Sequence, residues 1–256
     1  MHRRNSTQSR AFEKRTHSRV VLAEIIGIML GDGGIYLDYK HKYQLTISFN
    51  KKEIQYRDYV KNLFEDYFFP YTFRVDELAS EFLIRNVSFH LVDYLISEGL
   101  ISGDKNKNRI SIPKWVFQDK KYLIPCIRGL FDTDGSIYRK YGNYSQIQFK
   151  FGHFEIVDSI RKGLVILDFK PTKITSELNN GFTHWKVYLS RQDEIKRFFN
   201  IFNPANKKHL SRYKKIKMWG DRDLNPDLTV SSDHLANHCF LSSSLQSTGA
   251  VNSDPG

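Results

Sequence analysis

"EIIGIMLGDGGIY", residues 24–36, is an apolar run that breaks into Gly31-Asp32-Gly33-Gly34 and then resumes as the start of a strand. The run predicts a helix that ends at the glycines. Asp32 would then lie at the carbonyl end of that helix, where the partial negative charge of the backbone disfavours a carboxylate. We therefore expect a positive charge beside it.

A second stretch, "CIRGLFDTDGSIY" at residues 126–138, repeats the first one. At an offset of 102 residues Asp32 aligns with Asp134, Gly27 with Gly129 and Gly33 with Gly135, and the agreement extends into the following apolar positions. Later in the copies, Phe69-Pro70 and Lys170-Pro171 are 101 residues apart, which suggests one extra residue in the later hairpin of the second copy. The unit is therefore interpreted as a duplication.

Each copy alternates helical and strand periodicities in the order α-β-β-α-β-β-α. This order predicts an α+β fold of two pseudo-symmetric halves, each with an antiparallel sheet, packed through the two motif helices. We expect a basic arm at 1–17, a first half at 18–100, a polar linker at 101–118, a second half at 119–220 and a disordered tail at 221–256. The arm could bind nucleic acid or direct the protein to an organelle.

Small residues recur every four positions on both motif helices. A glycine in a helix costs about 1 kcal/mol relative to alanine, and close packing of two helices would explain why the chain accepts this cost. Such packing would bring Asp32 and Asp134 together with the free carbonyl oxygens of Gly31 and Thr133. Oxygen ligands of this kind suit a hard cation such as Mg²⁺. Asp-Gly is also a common turn dipeptide, but two copies in the same setting favour a site.

The charge of the chain favours a polyanionic partner. The net charge is +11, and residues 1–220 alone carry 38 basic and 23 acidic side chains, a net +15. Composition alone equally allows solvated surface charges. Two cysteines are too few for a disulfide framework and lack metal-ligand spacing, and apolar runs stay well short of the roughly 20 residues of a membrane span. We expect a soluble intracellular protein of the cytoplasm, nucleoid or organelle matrix.

"IIGIMLGDG" (25–33) and "IRGLFDTDG" (127–135) resemble the two signature helices of the LAGLIDADG homing endonucleases in their monomeric, two-motif form, and the resemblance spans about residues 18–217. It implies that Asp32 and Asp134 bind catalytic metal at the seam between the halves, and that two saddle-shaped sheets lie in the DNA major groove. Leu30 stands where the second motif has Asp132, a variation that the family shows.

The implied activity is site-specific cleavage of both strands of a long, asymmetric DNA target, dependent on Mg²⁺ and leaving short 3′ overhangs. Ca²⁺ is expected to support binding without cleavage. An intron RNA maturase and an inactive, sequence-specific DNA-binding protein of the same fold remain alternatives. An intein is not expected, because the chain begins at Met1 and lacks a terminal His-Asn pair.

Strand alternation predicts a polar sheet face in each half, opposite the apolar face. Hydrogen-bonding side chains there could read base edges, although an ordinary solvated face fits the same pattern. The candidates are Tyr36, Asp38, Lys40, Gln44, Thr46 and Ser48 in the first half, and Tyr138, Lys140, Tyr144, Gln146, Gln148 and Lys150 in the second.

The resemblance implies further catalytic residues. A polar residue near the metals at the end of the second strand would be Asn50, whose counterpart is Gly152, so the two half-sites would be chemically unequal. A basic residue on the last strand of a half would stabilise charge near the scissile phosphate. Lys186 and Arg85 are the candidates, and both could instead be surface charges. The basic segment 206–217 is predicted to be a helix that clamps the DNA backbone or is simply solvated.

Overall fold

The computed structural model describes residues 18–38, 42–105, 107–142, 144–179 and 181–224, so Lys40, the arm at 1–17 and residues 225–256 lie outside the described part. The first half contains α1 (Arg19–Leu30), β1 (Gly33–Asp38), β2 (Lys42–Asn50), α2 (Ile54–Tyr67), β3 (Arg74–Glu77), β4 (Glu81–Asn86) and α3 (Phe89–Ser97). The second contains α4 (Lys120–Asp134), β5 (Gly135–Tyr141), β6 (Tyr144–Phe151), α5 (Phe154–Ile166), β7 (Thr175–Asn179), β8 (Phe182–Leu189) and α6 (Gln192–Phe202). The predicted α+β order is confirmed.

Both halves carry a four-stranded antiparallel sheet with the same strand order, β1-β2-β4-β3 and β5-β6-β8-β7. The second strand of each sheet is central, and its alternate side chains Leu45, Ile47 and Phe49 are buried beneath the helices, as are Ile147 and Phe149. The opposite faces of the two sheets carry the polar side chains. We call these two surfaces the open faces.

Strand register corrects the repeat alignment in the later hairpin. Ile47 lies opposite Ile84 and Phe149 lies opposite Val187, so β4 and β8 correspond at an offset of 103 residues. Val75 pairs with Ile84, and by extension of the ladder residue 174 faces Val187, which gives an offset of 99 for β3 and β7. The second hairpin is therefore longer by four residues rather than by the one expected.

The motif helices α1 and α4 pack at backbone distance along the small-residue stripe. A Cβ atom on Gly27 would clash with the carbonyl group of Cys126, and a Cβ atom on Gly129 would lie 2.7 Å from the oxygen of Glu24. Leu22 through Leu30 are all buried. The predicted packing of the halves through these two helices is confirmed.

Among the described residues, two elements lie outside the repeated unit. A short 3-10 helix (Lys114–Gln118) precedes α4 within the predicted linker, and α7 (Lys207–Leu224) follows the second half. The basic segment is thus helical, and α7 continues past the predicted start of the tail at residue 221. In the described part of the chain, none of the helices is both long and apolar enough to cross a membrane.

Candidate functional site

Asp32 and Asp134 meet where the carbonyl ends of α1 and α4 lie side by side. Asp134 is the last residue of α4, and a Cβ atom on Gly31 would come within 2.8 Å of its Oδ2 atom. Asp32 follows α1 directly, and its backbone oxygen accepts a hydrogen bond from the Ser48 N–H at 3.2 Å, which ties the turn to β2. The glycine at position 31 is what lets the two acidic turns approach.

The Asp32 carboxylate lies close enough to Asp134 to be affected by its charge. Burial and the neighbouring Asp134 charge together raise the pKa of Asp32 to about 7, while Lys208 and Lys105 act in the opposite direction. The Asp134 side chain is more accessible to solvent than that of Asp32, yet partial loss of hydration at this helix end also raises its pKa, against the effect of Lys105 and Lys208. Two acids that resist ionising together are an arrangement that a cation would stabilise.

Lys105, from the loop after α3, lies at the carbonyl end of α1. Its ammonium group donates to the backbone oxygens of Met29 at 2.8 Å, Leu30 at 3.0 Å and Gly31 at 2.5 Å. Burial lowers the pKa of Lys105 to about 8, against the effect of the two aspartates. The positive charge expected beside Asp32 is therefore supplied by the chain itself.

Lys208, in the first turn of α7, occupies the comparable place at the end of α4. Its Nζ atom lies 3.3 Å from the backbone oxygen of Thr133 and 2.9 Å from Oε1 of Glu53. Glu53 precedes α2 in the first half and also raises the pKa of Asp32. Each carboxylate thus has a lysine nearby, but only Lys208 is paired with an acid there.

The expectation of free carbonyl ligands is wrong. The backbone oxygens of Gly31 and Thr133 each accept a bond from a lysine ammonium group, so a cation on these oxygens would compete with an ammonium. Within the described ranges, no three His, Cys, Asp or Glu side chains are grouped as a metal site. Two carboxylates nevertheless fit Mg²⁺, which proteins commonly hold through one or two carboxylates, with water and substrate phosphate completing the shell.

Asn50 ends β2 and is exposed, but its amide oxygen accepts the backbone N–H of Lys52 at 3.0 Å. Its backbone oxygen accepts the N–H of Glu53 at 2.8 Å. Asn50 therefore shapes the turn that places Glu53, and its role next to a metal stays a prediction. Gly152, its counterpart, is exposed and offers no side chain.

Lys186 and Arg85 lie on the open faces, on strands β8 and β4. Lys186 pairs in register with Lys150 and forms an ion pair with Glu177, whereas Arg85 pairs with Thr46 and lies 3.4 Å from Asp76. The two residues are also not equivalent, because the register matches Lys186 with Leu83. Lys105 and Lys208 are the lysines that act on the pKa of Asp32 and Asp134, and a role for Lys186 or Arg85 near a scissile phosphate stays a prediction.

The remaining candidates mostly share the open faces. Tyr36 and Tyr144 are exposed, Lys140 and Tyr138 are accessible, and Asp38 is positioned by its backbone pairing with Lys42. Others on these faces are partly exposed: Gln44, Thr46, Ser48, Gln148 and Lys150.

Gln146 is the exception on the second open face. It is buried, its amide oxygen accepts the Tyr138 hydroxyl at 2.9 Å, and its amide nitrogen donates to Ser190 at 2.6 Å. Direct contact of Gln146 with a base is therefore not supported. Its position instead fixes the direction of the Tyr138 hydroxyl.

Comparison with solved structures agrees with this architecture. I-DmoI in complex with DNA and Mn shares 18% sequence identity at a TM-score of 0.51, covering 72% of this chain and 97% of that chain. I-WcaI bound to its DNA recognition sequence shares 18% sequence identity at a TM-score of 0.51, covering 77% of this chain and 89% of that chain. The meganuclease I-SmaMI bound to uncleavable DNA shares 12% sequence identity at a TM-score of 0.52, covering 81% of this chain and 91% of that chain. The chain has the LAGLIDADG homing endonuclease fold. No family model and no curated protein sequence matches it, and at these identities the structural likeness establishes the LAGLIDADG fold alone.

Sequence reasoning missed Lys105 and Lys208. One signal was available, because these lysines are 103 residues apart, close to the repeat offset of 102. Both follow the repeated units in segments interpreted as linker and DNA clamp. Whether the Lys105 and Lys208 side chains point toward the helix ends depends on tertiary packing, which the periodicity of the sequence does not encode.

Proposed function

We propose that the protein is a site-specific endonuclease that cuts both strands of a long DNA target, and that a divalent cation held by Asp32 and Asp134 is required. The observation that carries the proposal is the pair of neighbouring carboxylates with raised pKa, at two helix ends whose carbonyls each bind a lysine ammonium group. The names of the structurally similar proteins support it, since these are homing endonucleases solved on DNA, with Mn or Ca in the case of I-DmoI.

Each half would contribute one carboxylate and one lysine to the chemistry. A divalent cation at Asp32 and Asp134 would supply Lewis acidity toward the phosphate and a more acidic water. The ammonium groups of Lys105 and Lys208, already oriented by helix carbonyls, would stabilise negative charge that develops on the scissile phosphates. One such pair in each half suits the cutting of one strand by each half, across the minor groove and with short 3′ overhangs.

The open faces would position the DNA. Their hydrogen-bonding side chains and aromatic hydroxyls are of the kind that reads base edges in the major groove, and the +15 charge of residues 1–220 favours contact with phosphates. Homing of an intron and action as a monomer, with Mg²⁺ as the physiological cation, complete the proposal.

The test replaces the carboxylates one at a time by Asp32→Asn and Asp134→Asn, which keep size but remove charge. The substrate is a plasmid library with Mg²⁺, and the ends produced are sequenced. We expect cleavage to fall by orders of magnitude in both variants, whereas DNA binding, which depends on the open faces, should persist. Asp93→Asn on the exposed surface of α3 removes the same charge elsewhere and should cleave normally.

Near wild-type cleavage by both motif variants would show that Asp32 and Asp134 are turn residues. Replacing Mg²⁺ by Ca²⁺ should leave binding intact and stop cutting, since Ca²⁺ accepts looser coordination. Wild-type protein that binds one DNA sequence tightly with Mg²⁺ and never cuts it would instead identify an inactive DNA-binding protein. Selective binding of intron RNA over DNA would identify a maturase.

A further inference from the structure

Asp132, the other acid of the second motif, faces away from the paired carboxylates. Its side chain is 1% exposed. Oδ2 accepts the backbone N–H of Ala205 at 2.9 Å, Oδ1 accepts that of Asn206 at 3.1 Å, and the Asp132 carbonyl accepts from the Asn206 side-chain amide at 3.0 Å. Both carboxylate oxygens are therefore used to hold the turn between α6 and α7 against α4.

The same contacts continue into the first turn of α7. The Asn206 amide oxygen accepts the N–H of Lys208 at 3.2 Å, and the Asn206 carbonyl accepts the N–H of His209 at 3.1 Å. The buried His209 ring places Nε2 3.4 Å from the Asp132 carbonyl and packs on Phe131 with ring centroids 4.3 Å apart. The residues on either side of Lys208 along the chain are thus anchored to the end of α4.

Lys208 extends from this anchored turn toward the carboxylates, where it meets Thr133 and Glu53. In the first half, Lys105 is placed beside the carboxylates in a different way. Leu30 stands at the position that corresponds to Asp132, and the loop that carries Lys105 is held by the Gly103 N–H, which donates to the Ile35 carbonyl at 2.8 Å.

We propose that Asp132 is a positioning residue for Lys208, because its carboxylate, together with Asn206, fixes the start of α7 so that the ammonium group lies beside the paired aspartates. The consequence for cleavage rests on the proposed function. The placement of the lysine does not, and it can be measured in protein free of metal and DNA.

The first test measures the rate at which Lys208 is acetylated by an N-hydroxysuccinimide ester, read by mass spectrometry. Asp132→Asn has one carboxamide oxygen for the two backbone N–H groups that Asp132 now holds, so the turn should loosen. We expect Lys208 to react several-fold faster than in the wild type. Lys105, held by α1 carbonyls in the same molecule, should keep its wild-type rate and serves as the internal reference.

A second variant keeps the test decisive if Asp132→Asn does not fold. Asn206→Ser shortens the other side of the same contact and should also accelerate the acetylation of Lys208. Glu194→Gln is the matched control, because Glu194 is likewise buried and accepts a backbone N–H, that of Lys170 at 2.6 Å, away from α7. It should lower the melting temperature without changing Lys208 reactivity.

The activity arm uses single-turnover cleavage with saturating DNA. Asp132→Asn and Asn206→Ser should each slow cleavage by about 10-fold to 100-fold, as expected for a misplaced group, with the dissociation constant for DNA unchanged. Adding Asp132→Asn to Lys208→Met should slow the reaction no further.

If Lys208 is acetylated at the wild-type rate in folded Asp132→Asn and Asn206→Ser, the inference is overturned, whether or not the chain cuts DNA. Faster acetylation in a chain that cuts no DNA would support the positioning and count against the proposed function alone.

Discussion

Lys105 places a full positive charge on the carbonyl end of α1, where the backbone carries partial negative charge. The same ammonium lies close enough to Asp32 and Asp134 to oppose the rise in pKa that burial causes in both. One side chain therefore ends a helix and balances the charge of a candidate metal site. The arrangement explains why an acidic residue is tolerated directly after a buried apolar helix.

Replacing this lysine by Lys105→Met should keep the length of the side chain and remove the charge. We expect cleavage of a bound target to slow by about 100-fold, in the range found when a single stabilising donor is removed, with little change in DNA affinity. Lys107→Met, on an exposed neighbour in the same loop, is the control and should behave as the wild type. Equal rates for the two variants would remove Lys105 from the chemistry.

His209 predicts a pH effect on stability. Burial, with Lys208 and Arg212 nearby, lowers its pKa to about 3, against the effect of the Asp132 and Phe131 carbonyls. Below about pH 6.5, His209 is protonated in the unfolded chain but stays neutral in the folded chain. The contribution of His209 to stability is therefore fully present above that pH and is lost as the pH falls.

Between about pH 7.5 and 5.5, the wild type should lose about 1 kcal/mol more unfolding free energy than His209→Gln, which cannot titrate. Denaturant unfolding at the two pH values measures this difference. The aspartates with raised pKa act in the opposite direction, but they are present in both proteins and cancel. Parallel pH curves for wild type and variant would mean that His209 is protonated in the folded state.

At the level of elements, the close contact between α1 and α4 depends on glycines, which have no side chain to separate the two helices. Gly129→Ala would place a Cβ atom 2.7 Å from both the Glu24 oxygen and the Ile28 nitrogen, so the helices must separate. We expect a loss of about 3 kcal/mol, at the upper end for overpacking. Gly152→Ala meets nothing within 4 Å and should change stability by less than about 0.5 kcal/mol. Thermal or denaturant unfolding compares the two, and similar small losses would show that the seam is loose.

The sequence predicts elements more reliably than their mutual placement. Periodicity and the repeat were sufficient for both sheets, for the packing of the glycine-striped helices and for the meeting of Asp32 with Asp134. They could not reveal that the Gly31 and Thr133 carbonyls are occupied, because Lys105 and Lys208 reach them from segments beyond the repeats. Nor could alternation show that Gln146 is covered, since its amide group bonds to Tyr138 on β5 and to Ser190, the residue after β8.

For the whole molecule, two similar halves create a candidate site at the seam that is not symmetric. Lys208 is tied to Glu53, whereas Lys105 is held by helix carbonyls, and the later hairpin of the second half is longer. Two open faces that differ in side chains and strand lengths suit an asymmetric target better than a palindrome. The inequality is therefore consistent with a single chain that reads two different half-sites.

The charge of the whole molecule predicts how strongly salt should weaken DNA binding. With a net +15 on residues 1–220, we expect contact with about six or more phosphates, and counterion release should then reduce affinity by about 10³-fold or more between about 50 and 200 mM salt. Fluorescence anisotropy with labelled duplex in Ca²⁺ measures binding without cutting. Asp32→Asn should give the same slope of log affinity against log salt, since the slope counts the phosphates neutralised by Lys and Arg and this change removes none of those side chains. A flat slope for the wild type would remove nucleic acid as the partner, because no polyanion could then be neutralised by this surface.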